Sequence, residues 1–408
     1  MSNFPETTTP SAPLKRRVGL WLLLLYGLGN ILGAGIYVLV GKVAGVAGGA
    51  TAWAFVLASA GVAFTVFSYA ELAARYPVSA GVAVYLYQAF NRPWLSLFVG
   101  LLVMVSGITS AATISHGFVG YVQVFWDLPT VPLICGLIVV LGGIAIWGIS
   151  ESVKVVALLT VAEAGGLVLI VMFGGHYAIT VEPLIQALPT SPGLSGVVVG
   201  AFLAFYAFIG FEDMVNIAEE VKRPERNLPL AALLALLIAT VLYALVSVVA
   251  TSVISPAELA ASDAPLALIY ERSTGASPLP IVAISLFAVV NGALIQIIMG
   301  ARMLYGMARQ GWLPSVLGQV WQPTATPVIA TVLVVVLTLV FALAMPLERL
   351  AELTSLLVLL IFVMVNGALL RIKRRQPLVE GVRCYPLWVP AVGLAISVGF
   401  IAARWLLV

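Results

Sequence analysis

Eleven stretches of about 20 residues run along this chain with hardly a charge among them. They fall at roughly 18 to 44, 51 to 74, 94 to 125, 130 to 149, 154 to 174, 194 to 221, 229 to 252, 279 to 308, 326 to 345, 350 to 371 and 385 to 407. Each is long enough to cross the hydrocarbon core of a bilayer as a helix. The runs are continuous rather than alternating, and too long for barrel strands, so the chain reads as an all-α polytopic membrane protein. Composition agrees, since 62% hydrophobic and 9% charged residues exceed what a soluble chain of this length would place on its surface.

Placing the N-terminus in the cytoplasm collects most of the twenty basic residues on the inner side, Arg75, Arg371, Lys373, Arg374 and Arg375 among them. Only Lys42, Arg272, Arg349 and Arg404 fall on the outer side or near it, a clear positive-inside asymmetry. An odd number of spans then leaves Val408 outside. The net charge of +3 follows from this topology and marks no nucleic-acid partner. Residues 1–13 read as a flexible cytoplasmic tail without a signal peptide, the first span acting as the insertion signal. Cys135 within a span and Cys384 near an inner boundary support neither a disulfide nor a metal site, and no cofactor is implied. The polar connections at about 76 to 93, 175 to 193 and 253 to 278 are too short for a soluble catalytic module.

Two of the spans are built to break. Residues 21 to 40 carry Gly27, Gly29, Gly33 and Gly35, and the span at 202 to 214 places Glu212 and Asp213 straight after Gly210. Irregular backbone is tolerated in a bilayer only where protein covers it or a cavity meets it, so two breaks half a chain apart suggest a central solute site. The first break opens one group of five spans and the second opens another. Five is odd, so the groups insert with opposite orientation, as in the LeuT-type five-plus-five inverted repeat with discontinuous helices 1 and 6. The core then covers 14–375, with repeats at about 18–174 and 194–375, and 376–408 forms a peripheral eleventh helix.

Gly33, Ala34 and Gly35 offer a backbone that leaves the helical path at low steric cost. Freed amides and the positive end of the half-helix dipole suit a carboxylate there; close helix packing through small residues is the alternative. Around Tyr206, Ala207, Phe208, Ile209 and Gly210, unwound carbonyls suit an ammonium group, and Glu212 and Asp213 begin the next half-helix where acids are favoured. An α-amino acid carries both complementary groups on one carbon.

The motifs GLGNILGAGIYVLVG at 27 to 41, SYAELAARYPVSAG at 68 to 81, FYAFIGFEDMVNIAEEVKRPERNLP at 205 to 229, NGALIQIIMGARMLYGMARQGWLP at 291 to 314 and LAELTSLLVLLIFVMVNGALLRIKRR at 350 to 375 resemble the amino acid-polyamine-organocation superfamily, closest to bacterial permeases related to the cationic amino acid transporters. The resemblance implies alternating access in a bacterial cytoplasmic membrane. It also implies a substrate carboxylate at Gly33, Ala34 and Gly35, an amine at carbonyls of Ile31, Leu32, Tyr206, Ala207 and Ile209, and Tyr206 as an aromatic gate. A packed aromatic is the other reading of Tyr206.

Glu163 lies nine residues into the fifth span, where a carboxylate is expensive and is functional by default. Several proton-coupled relatives, aligned from the GISES motif at 148 to 152, carry a lysine here that replaces a bound sodium ion. The change from cation to acid prevents copying that mechanism. Glu163 is expected to face the first break with Asn30 and Asn291 as polar partners, titrating or binding a cation; a paired structural glutamate is the alternative. The coupling ion is then H+ or Na+. His116 is expected to be a packed, hydrogen-bonded residue, Glu71 to pair with a base, 219 to 226 to form a solvated inner loop, and the hydroxyls from Ser106 to Ser115 to line the pocket or bond between helices.

The leading function is a secondary transporter of an α-amino acid, working as a proton-coupled carrier or an exchanger. The predicted pocket helices 3, 8 and 10 offer Ser, Thr, Asn and apolar groups with no evident acid, which favours a neutral substrate over a cationic amino acid, polyamine or amine unless Glu163 or Glu212, a further candidate for coupling or gating, reaches the pocket. An intramembrane enzyme would need a nucleophile with its base or a metal cluster, and two cysteines and two distant histidines supply neither. A channel is disfavoured by the absence of a filter-like repeat. The direction of transport is open, as is assembly into a homo-oligomer.

Overall fold

Apolar side chains without alternation, in a solvent that cannot bond backbone amides, leave the helix as the economical conformation. The computed structural model describes residues 18–76, 81–147, 153–180, 191–324 and 326–407, and among these β-structure is limited to two isolated bridges. The proposed tail at 1–13 and the GISES motif lie outside the described residues. The helices are α1 (Leu20–Leu32), α2 (Ala34–Ala47), α3 (Thr51–Arg75), α4 (Gly81–Phe90), α5 (Pro93–Gln123), α6 (Thr130–Trp147), α7 (Val153–Thr180) and α8 (Ser191–Ala204). They continue as α9 (Pro224–Val253), α10 (Pro256–Ala261), α11 (Pro265–Thr274), α12 (Leu279–Arg309), α13 (Val328–Ala344), α14 (Leu347–Arg375) and α15 (Trp388–Leu407).

All eleven expected spans have a helical counterpart, the first divided between α1 and α2. Among the described residues nine helical stretches are long and apolar enough to cross a membrane; one of them, Gly35–Arg75, joins α2 to α3, while Leu20–Leu32 and Val328–Ala344 are shorter apolar helices. The protein is an integral membrane protein of the LeuT-type architecture. Its two halves pack as counterparts: α1 on α9 answers α8 on α3, α5 on α14 answers α12 on α7, and α5 on α13 answers α12 on α6. The pairs α3 with α9, α5 with α12 and α6 with α13 are the self-matching contacts of the same exchange. Outside this scheme, α15 packs against α14 and α3.

The connection at 253 to 278, expected to be simply polar, folds into α10 and α11. Ser255, Pro256 and Glu258 start α10 as a capping sequence, the Ser255 hydroxyl accepting from the Glu258 N–H at 3.3 Å. Gly275, at φ 66°, ends α11 in the left-handed conformation that favours glycine. The four bases expected at the outer end are all ion-paired: Lys42 with Asp263 and Glu348, Arg272 with Glu258, and Arg349 and Arg404 both with Glu352.

At the other end Glu71 pairs with Arg75 and Lys373, as expected for a carboxylate beside bases. His116 is a packed residue, its Nε2 lying 2.9 Å from the Ala342 carbonyl. The hydroxyls of α5 divide between the two expected roles. Thr109 meets Thr354 of α14 at 2.7 Å and Thr113 and Ser115 bond back to their own helix, whereas Ser110 faces the centre.

Candidate functional site

The first break is a single residue. Gly33, at φ −24° and ψ −129°, donates its N–H to the Gly29 carbonyl at 3.1 Å, closing α1, and the chain re-enters a helix at Ala34. The first N–H groups of a helix lack partners within it. Gly33 has no side chain to cap them, so the positive end of α2 is presented bare.

In the second break, α8 tightens into one 3₁₀ turn over Phe205–Phe208, Ile209 is extended at φ −68° and ψ 141°, and Gly210 turns the chain at φ 122°. Tight turns then run over Phe211–Glu220. Glu212 closes the turn from within, its Oε2 accepting the Gly210 N–H at 2.9 Å.

The two breaks press on one another. A Cβ placed on Gly35 would stand 2.4 Å from the Ala207 Cα, and one on Gly210 would stand 2.5 Å from the Asn30 carbonyl oxygen. Glycine at these two positions is what lets the unwound backbones meet.

Where they meet lies a cavity of about 30 Å³, bounded by Gly29, Asn30, Ile31, Gly33 and Gly35 on the first break and by Tyr206, Ile209 and Asp213 on the second. Ser110 and Ile114 of α5 and Gly292, Ile295 and Gln296 of α12 close the remaining sides. A second cavity of about 50 Å³ shares Ser110, Ile209, Asp213 and Gln296 with the first and extends past Tyr69, Glu212 and Phe362. Since a water needs roughly 10–15 Å³ measured this way, these spaces admit waters and no solute of amino acid size. The helices around them must separate before a larger ligand enters.

Of the residues expected to bind substrate, Ile31, Gly33, Gly35, Tyr206 and Ile209 border the central cavity, and the Tyr206 hydroxyl lies 3.0 Å from Ser110 Oγ. Leu32, Ala207, Phe208 and Gly210 do not border it. Leu32 is packed in the core, and Phe208 stands in ring contact with Phe55 and Tyr243. The side chain of Ala34 lies outside the described residues.

The carbonyls expected to meet an amine are engaged in an unforeseen way. Tyr243 Oη of α9 stands 2.6 Å from the Ile31 oxygen and 3.0 Å from the Ala207 oxygen, spanning both breaks with one hydroxyl. A phenol carries one proton, so it donates fully to only one of these at a time.

Glu163 is buried on α7, and Tyr37 donates its hydroxyl to the Glu163 carbonyl at 2.6 Å. One turn earlier Thr160 donates to the Leu25 carbonyl at 3.0 Å, so this face of α7 lies against α1. Tyr37 and Tyr243 are electrostatic neighbours of the Glu163 carboxyl. Glu163 therefore stands level with the first break, behind the central cavity rather than on its wall. Of its expected partners, Asn30 borders the cavity with both amide atoms buried and without a hydrogen bond, and Asn291 is buried beside Gly292.

Helices 3, 8 and 10, here α5, α12 and α14, put no acid on the cavity walls; the acids come from the second break, where Asp213 borders both cavities and Glu212 the second. Helix 6 puts them there because the chain resumes helical turns immediately after Gly210, keeping the next residues at the break. Gln296 was not singled out, although Gly292, Ile295, Gln296, Met299 and Gly300 recur at the spacing of one helix face and an amide in an apolar span is itself a signal.

A family model described as amino acid permease matches residues 18–407. The branched-chain amino acid permease BcaP of Bacillus subtilis is 28% identical over 91% of this chain and 83% of its own length. The methylthioribose transporter of Bacillus subtilis is 26% identical over 95% and 87%, and the vacuolar cationic amino acid transporter 4 of Arabidopsis thaliana is 31% identical over 87% and 63%. The chain thus spans less than two thirds of the length of that plant relative. These relatives are transporters rather than enzymes, and the chain belongs to the amino acid permease family, as its resemblance to the amino acid-polyamine-organocation superfamily implied.

Proposed function

We propose that the protein carries an α-amino acid across the bacterial cytoplasmic membrane by alternating access, with its N-terminus inside and its C-terminus outside. The carrying observation is that both helix breaks border one small cavity, the bare start of α2 on one side and Ile209 and Asp213 on the other. The carboxylate goes to the amides after Gly33, and the ammonium goes to the second break. Ile31 borders the cavity, and its carbonyl oxygen, with two lone pairs, can accept from an ammonium beside its contact with Tyr243. The small size of the cavity fits a carrier whose helices move to admit the solute. Saturable uptake into proteoliposomes, accelerated by substrate preloaded inside, is the expected result; flux linear in concentration without exchange overturns it.

A second reading of the substrate, a cationic amino acid or amine in place of a neutral one, is favoured by Asp213 and Glu212 on the cavity walls. On this reading Asp213→Asn weakens competition by arginine or lysine by roughly tenfold or more, as loss of a charge-assisted hydrogen bond requires, while leucine is unaffected. Competition with all twenty amino acids against both proteins decides between the two.

Glu163, level with the break, is the coupling group in this proposal. Glu163→Gln is expected to flatten the pH dependence and abolish uphill accumulation while exchange persists. Unchanged pH dependence and accumulation would leave Glu163 a structural residue.

A further inference from the structure

The last turns of α14 carry four bases with two fates. Lys373 turns inward to Glu71 and is buried, whereas Arg371, Arg374 and Arg375 are exposed. Among the described residues no carboxylate lies within ion-pair distance of these three arginines. They line one groove of about 380 Å³ whose floor is Phe90, at the end of α4, with Gly367 and Leu370 of α14. Residues 367, 371, 374 and 375 share a helical face, so the groove passes from apolar wall to guanidinium rim along one side of α14. Gly367 keeps the apolar end open, since a Cβ there would meet only Leu394 at 3.8 Å. Arg371 is set in advance: its Nε donates to the Ala89 carbonyl at 2.9 Å and its Cζ lies 5.2 Å from the Phe90 ring centre.

We infer that this groove binds the phosphate headgroup of an anionic phospholipid. Three unneutralised guanidinium groups converge on one rim and match a phosphate in charge and hydrogen-bonding geometry. The apolar floor beside them, on a helix that has just left the hydrocarbon core, matches the start of an acyl chain and has no use for free phosphate. The rim stands at the base-rich end of the bundle, which places the lipid in the cytoplasmic leaflet. The site is remote from the two helix breaks and does not depend on which substrate is carried.

Native mass spectrometry of the full chain with phosphatidylglycerol or phosphatidylcholine tests this. The wild type is expected to retain phosphatidylglycerol in preference. Arg374→Gln with Arg375→Gln, both exposed, is expected to weaken retention by roughly tenfold or more. Lys222→Gln with Arg226→Gln removes the same charge elsewhere on the base-rich surface and is expected to leave retention intact. Equal loss in the two variants would show diffuse attraction and overturn the site, as would no loss in the α14 variant or equal retention of phosphatidylcholine. Displacement of the lipid by millimolar inorganic phosphate would overturn the lipid assignment in favour of a free phosphate site.

Discussion

Uptake by the Gly35→Ala protein is expected to fall by roughly tenfold to a hundredfold while the protein remains inserted and folded. The added methyl would lie 2.4 Å from the Cα and 2.7 Å from the Cβ of Ala207. These are backbone or backbone-fixed atoms rather than the tip of a side chain that can swing away. Overpacking of this kind costs about 1–3 kcal/mol, and here the strain is relieved by parting the two breaks, which removes the shared wall of the cavity. Gly210→Ala is expected to be worse, because contact with the Asn30 carbonyl is joined by a φ of 122° that a side chain rarely adopts. Gly136→Ala in α6 is the control: nothing lies within 4 Å of the new methyl, and a helical alanine is mildly favoured over glycine. Initial rates of saturable uptake at equal reconstituted protein check all three. Wild-type rates for Gly35→Ala would show that transport does not need the breaks in contact.

That contact also marks how far the sequence was legible. Gly33 and Gly210 are visible as breaks because conformational freedom inside an apolar run is a local property. The span count, and with it the inverted repeat, follows from lengths and an odd number of crossings. Tyr243 was not legible: in an apolar helix its ring looks like packing, and its carbonyl partners at Ile31 and Ala207 are 212 and 36 residues away. Asp213 was visible as an acid, but whether it faces the cavity depends on how tightly the chain winds after Gly210, which no period reveals. Glu163 was visible as an acid inside an apolar span, but its place behind the cavity is set by the packing of α7 on α1. The short helices α10 and α11 were missed although their caps are written in Ser255, Glu258 and Gly275, because the connection was judged by polarity alone.

Glu71→Ala is expected to cost the most stability, about 3–5 kcal/mol, since it removes the one carboxylate from a buried cluster and strands two cations. The Glu71, Arg75 and Lys373 side chains are 0%, 2% and 3% exposed. Glu71 accepts from Arg75 Nη2 at 2.7 Å, from Lys373 Nζ at 2.6 and 2.9 Å, and from the Tyr385 N–H at 2.9 Å. Arg75 in turn donates to the carbonyls of Gln376 and Pro377 at 2.8 and 3.1 Å. One carboxylate thereby fastens the end of α3, the end of α14 and the segment leading to α15. Its partner Lys373 is 302 residues distant, so the loss acts on tertiary assembly rather than on any one helix. Thermal unfolding in detergent should place Glu71→Ala well below the wild type, with Glu71→Gln between them because the amide oxygen still accepts while the charge is gone. Adding Lys373→Met to Glu71→Ala removes one stranded cation and should recover part of the loss, the non-additivity that a direct pair requires. A Glu71→Ala protein that melts with the wild type would mean that water reaches Arg75 and Lys373 and that this end of the bundle is held by apolar packing alone.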